Sequence, residues 1–87
     1  MAYPPEFLKL VDQFIDLANK LSEGRSSGEV SAAILFAAGR YNAFNFLSQG
    51  GTDEKRASAT DFYVSEYRTA FTSNLDGAVG PVMKGHG

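Results

Sequence analysis

Residues Val30 to Phe46 read VSAAILFAAGRYNAFNF, the most apolar run in this 87-residue chain. Nothing in it breaks a helix, and its length suits one of several turns. Projected at about 100° per residue, the run has two apolar faces. Val30, Ala33, Ile34, Ala37, Tyr41 and Phe44 form the first; Ala32, Leu35, Phe36, Gly39, Ala43, Phe46 and Leu47 form the second. Ser31, Asn42 and Asn45, with Ala38 among them, leave only a narrow polar stripe. A helix apolar over most of its circumference needs neighbours on most sides, so the rest of the chain is read for what it can supply.

Upstream, Tyr3-Pro4-Pro5-Glu6 has the form of a helix start. Proline fits the first turn because its missing N–H would be unpaired there anyway, and Glu6 suits the positive end of the helix dipole. Phe7, Leu10, Val11, Phe14, Leu17, Ala18 and Leu21 then recur at spacings of three and four, with Lys9, Asp12, Gln13, Asp16, Asn19 and Lys20 opposite. This is an amphipathic helix with one buried face. Gly24 is placed to end it, and Ser27 to cap a second helix that begins near Gly28, with Glu29 in the first turn.

Downstream, Gly50-Gly51 stops the second helix, and Thr52 with Asp53 and Glu54 reads as the start of a third. Its inward face is Ala57, Thr60, Tyr63, Val64, Tyr67, Ala70, Phe71 and Leu75, while Phe62 points to the polar side. The expected fold is all-α, a three-helix bundle-like domain with helices over about residues 5–22, 28–49 and 53–75. Residues 1–75 form the single helical domain, and 76–87 a flexible, glycine-rich C-terminal tail.

Composition excludes several functions. Eight Lys and Arg against ten Asp and Glu give a net charge of −2 without basic blocks, so no nucleic-acid partner is expected. The absence of cysteine removes disulfides and thiolate metal ligands, and no signal-peptide pattern follows Met1; the expected location is cytoplasmic. No membrane span is expected either, since the uncharged apolar stretch from Val30 to Gly39 is far short of the ~20 residues required. Gly50-Gly51 is no phosphate loop: it follows a helix and has no lysine at the necessary spacing.

Catalytic chemistry lacks its parts. The only histidine, His86, stands between glycines one residue from the end, and without a positioned base the serines and threonines have nothing to activate them. The acids face outward, unlike the inward Glu and Glu-x-x-His sets of bundle metal sites. No catalytic residue, cofactor or metal is therefore assigned.

Arg40 is the exception to the apolar pattern, projecting between Ala33 and Leu47 inside the apolar arc. If buried it needs a carboxylate, with Glu66 the first partner and Asp61 or an acid of the first helix the second. The other reading is an apolar stem over the helix with the guanidinium in solvent.

The second helix also carries a resemblance. VSAAILFAAGRYNAF (30–44), FIDLANKL (14–21), Glu66-Tyr67-Arg68 and Asn74-Leu75-Asp76, in the order in which the three helices use them, resemble a family of short bacterial proteins filed as a domain of unknown function. The resemblance covers most of residues 6–76 and implies a small helical bacterial protein, without an activity or a site. This chain departs from it at Gly39, where an alanine is expected before the arginine, and in its C-terminal GAVGPVMKGHG.

Two functions of different class follow. The favoured one is a non-catalytic protein-interaction module, a homodimer or a binder of another protein. Its interface is the second face of helix 2, Ala32, Leu35, Phe36, Gly39, Ala43 and Phe46, extended by Phe62. The alternative is a binding protein or minor enzyme for an anionic small molecule, held by Arg40 with Glu66 and Tyr67.

Overall fold

The ends of each helix can be traced to particular residues of the sequence. In the computed structural model, which describes residues 3–79, the elements are α1 (Pro5–Leu21), α2 (Ser27–Ser48), a short 3-10 turn (Asp53–Lys55) and α3 (Arg56–Val79). Among the described residues there is no strand, and the all-α, three-helix architecture is the expected one.

Pro4 sits in extended backbone, and its carbonyl accepts the N–H groups of Phe7 and Leu8 at 3.0 and 3.1 Å. Pro5 takes the first helical position, where nothing is lost by its missing donor. Tyr3 stacks on Phe7 with ring centroids 4.9 Å apart, tying the incoming chain to the first turn. At the other end Ser22 donates from its hydroxyl to the Ala18 carbonyl at 2.9 Å, and the Arg25 guanidinium donates to the Leu21 carbonyl. Gly24 then turns the chain at φ 82°, as a helix-ending glycine does.

The cap of α2 is Ser26, not Ser27. Its hydroxyl oxygen accepts the Glu29 N–H at 3.1 Å, so the helix opens at Ser27, one residue before Gly28. Ser26-Ser27-Gly28-Glu29 has the S-x-x-E spacing of a capping box, in which a serine reaches the third residue on; Ser27 has no acid at that distance.

The C-terminal end of α2 is a Schellman arrangement. Gly50 adopts φ 87°, the Gly51 N–H donates to the Phe46 carbonyl at 2.8 Å, and the Gly50 N–H donates to Leu47 at 3.2 Å. The chain folds back so closely that a Cβ on Gly51 would stand 2.5 Å from the Phe46 carbonyl oxygen and 2.6 Å from its ring. Both glycines are required, for different reasons: Gly50 for its dihedral and Gly51 for space.

Thr52 does not cap α3 with its hydroxyl. Its carbonyl accepts the Lys55 N–H at 2.9 Å, closing the 3-10 turn, so the α-helix begins at Arg56. Asp53, expected within the helix, is paired with Arg56 at 3.4 Å on an exposed surface, where such a pair contributes at most about 1 kcal/mol. Along α3, Thr60 and Thr72 donate to the carbonyls of Arg56 and Arg68, both at 2.9 Å, and Asn74 donates to Ala70 at 2.8 Å. Thr60 thus keeps its hydroxyl satisfied on a face otherwise apolar.

The last helix is longer than expected. It passes Leu75 and continues through Gly77 to Val79, crossing the boundary expected between domain and tail. One interior glycine costs about 1 kcal/mol relative to alanine, too little to end a helix held by its other turns. Residues 80–87, with His86, lie outside the described residues.

The chain divides into two units, residues 1–45 and 46–87. The first holds α1 and most of α2. Val30 is the one buried residue described, 6% exposed, and Ala18, Ser22 and Asn42 are half-buried. The second holds the last turn of α2, the 3-10 turn and α3, with Phe46, Gly51, Ala59 and Tyr63 half-buried. On α3 the Phe62 and Tyr63 rings meet edge to face at 5.3 Å, and Tyr67 stacks on Phe71 at 6.0 Å.

Candidate interaction surface

The candidate surface follows from the continuity of α2. A single unbroken helix from Ser27 to Ser48 keeps the phase of the wheel, so Ala32, Leu35, Phe36, Gly39, Ala43, Phe46 and Leu47 share one side of it. Of these Phe36 is 68% exposed, and Ala32, Leu35, Gly39, Ala43 and Leu47 are exposed as well. Phe46 is half-buried because its ring covers Gly51.

On the first face too most residues are exposed. Val30 is buried, but Ile34, Tyr41 and Phe44 are exposed, Tyr41 at 74%. The apolar stripe of α1 is open in the same way, with Phe14 at 67%. Among the described residues burial is confined to Val30, in the first turn of α2.

Arg40 is exposed, and its guanidinium carbon lies 5.1 Å from the centroid of the Phe36 ring. The two residues are one turn apart, and helical side chains slope toward the N-terminus, which brings the cation back over the aromatic face. At an exposed site such a contact is worth about 0.5–1 kcal/mol. This is the arrangement with an apolar stem and a solvated head, and a charge so placed does not demand a carboxylate. Glu66 and Tyr67 belong to the second unit, where Glu66 is exposed and Tyr67 is stacked on Phe71. Phe62 is also in that unit, exposed, with its ring against Tyr63.

Sequence reading missed three of these features. The Phe36–Arg40 stack was signalled by the spacing of four, and the Ser26 cap by S-x-x-E. The seating of Phe46 on Gly51 had no sequence signal beyond the paired glycines.

Among the described residues no three His, Asp or Glu side chains gather as a metal ion would require, and no helix is long and apolar enough to cross a membrane. What the surface offers is apolar area with one cation laid over an aromatic ring.

No curated protein and no solved structure matches the chain. Residues 7–79, from the first turn of α1 to the end of α3, match the family described as Protein of unknown function (DUF3144), in keeping with the resemblance read from the three helices. The chain belongs to that family.

Proposed function

We propose that this protein is a non-catalytic interaction module that forms a homodimer through the second face of α2. The observation that carries this reading is the exposure of Leu35, Phe36 and Leu47 together on one continuous helix. Single exposed apolar residues are ordinary on a protein surface, whereas a contiguous set of this kind marks a place where something binds. The net charge of −2 favours a protein partner over a nucleic acid, and a chain without cysteine suits the reducing cytoplasm. Phe62 supplies a separate exposed apolar contact on α3.

Sedimentation equilibrium tests the reading. The expected mass rises from that of the 9.4 kDa chain toward twice that value between low and high micromolar concentration, and Phe36→Glu returns it to the monomer. A mass that stays at 9.4 kDa throughout this range overturns it.

A further inference from the structure

Five residues of α2, Ala32, Phe36, Gly39, Ala43 and Phe46, recur at alternating spacings of four and three. That alternation averages 3.5 residues, the period of a seam between two helices. Their sizes reverse about Gly39: Ala32 is seven residues before it and Phe46 seven after, while Phe36 is three before and Ala43 four after. We infer that α2 of a second copy lies antiparallel across this seam, the two helices crossing at Gly39. The inference rests on the dimer reading above and specifies its geometry.

A two-fold interface uses the same surface on both copies, so that surface must be complementary to itself. Antiparallel pairing about Gly39 sets Phe46 opposite Ala32 and Phe36 beside Ala43 of the other copy, large against small, as close packing requires. Parallel pairing sets Phe36 against Phe36 and, one turn on, Gly39 against Gly39, so that bulk is followed by a void.

Gly39 agrees with this arrangement. A Cβ there would meet nothing within 4 Å, as at Gly28 and Gly77, so the helix surface is open at the crossing point. The area decides how tight the pair is. Exposed parts of Phe36, Leu35 and Leu47 with the small residues amount to about 500 Å² per copy, or about 1,000 Å² in the pair, which is the low end for a specific interface. Arg40 stands on the flank that meets its own counterpart across the two-fold, and like charges there also keep the pair weak. A weak, reversible association is the expectation for so small an interface.

The cysteine-free chain allows a direct test. A disulfide requires Cα atoms closer than about 7 Å. In the antiparallel pair the two copies of residue 39 meet, whereas those of residue 32 are about 21 Å apart along the axis. Under mild oxidation Gly39→Cys is expected to give a covalent dimer as its main product, and Ala32→Cys to remain monomeric on a denaturing gel. An equimolar mixture of Phe36→Cys and Ala43→Cys is expected to give the mixed disulfide by mass, which keeps the test valid if Gly39→Cys alone fails to fold. Cross-linking of Ala32→Cys to itself means a parallel pair; it overturns this inference and leaves the dimer reading standing. Failure of all three to cross-link, with sedimentation still showing a dimer, overturns the seam itself. If sedimentation shows only monomer, the dimer reading falls with it.

Discussion

A Cβ added at Gly51 would lie 2.5 Å from the Phe46 carbonyl oxygen, whereas at Gly39, earlier on the same strand of chain, it would meet nothing within 4 Å. The first glycine belongs to a cap whose every contact is internal: the positive φ of Gly50, the hydrogen bond from Gly51 to Phe46, and the Phe46 ring lying over the turn. The second stands in mid-helix, at normal helical dihedrals, with no internal contact requiring it. One residue type thus stands in two settings, one required by contacts within the chain and one with none. Exposed apolar residues, Leu35, Phe36 and Tyr41, stand on either side of Gly39.

The largest effect that can break this comparison is at the cap. Gly51→Ala forces either the Phe46 carbonyl or its ring to move, and overpacking of that kind costs about 1–3 kcal/mol. Urea denaturation is expected to show a loss of about 2–3 kcal/mol in stability; a loss below about 0.5 kcal/mol means that the close approach is not a constraint and that the two glycines do not differ. Next in size is Gly50→Ala. A side chain at φ 87° is strained by about 1–2 kcal/mol, with no clash to relieve, and the expected loss is of that order. The two losses are not additive, because once the Schellman turn opens Gly51 no longer returns to Phe46.

Much of the fold was legible in the sequence because helices announce themselves by period and by their ends. Prolines at residues 4 and 5, the glycines at 24, 50 and 51, and the three-and-four spacing of Phe7 to Leu21 were enough to place α1 and the stop of α2. The errors were at ends where two residues competed for one role. Ser26 takes the cap from Ser27 because Glu29 stands three residues after it, and the Thr52 carbonyl rather than its hydroxyl closes the turn before α3. The glycine-rich composition after Leu75 set the expected end of α3 there, but Gly77 has no positive φ and the helix continues to Val79. The wheel of α2 sorts its residues by face, and the unbroken helix from Ser27 to Ser48 keeps that phase. Periodicity reports which side of a helix is apolar, and coverage depends on what packs there. The sequence offered both a buried pair and a solvated head for Arg40, and what the pattern did not show was its place over the ring of Phe36 one turn away.

The smallest expected effect sharpens the comparison most, because its sign differs between the single chain and the pair. Gly39→Ala places a methyl group in open space and removes the backbone entropy penalty of an interior glycine, so the isolated chain gains about 0.5–1 kcal/mol. Thermal unfolding at a concentration well below the association range measures that term alone, since any contribution of the partner vanishes with dilution. In the same variant the added methyl stands where two backbones cross, and sedimentation at high concentration is expected to show weaker association. A gain in one measurement and a loss in the other assign the glycine to the partner. A loss of stability in the dilute chain would instead mean that an internal contact at Gly39 exists after all, and the distinction between the middle of α2 and its cap would fail. A gain in both would leave Gly39 without a role in either, and the crossing point would have to move along the seam toward Ala43 or Ala32, where the small side chains still permit close approach.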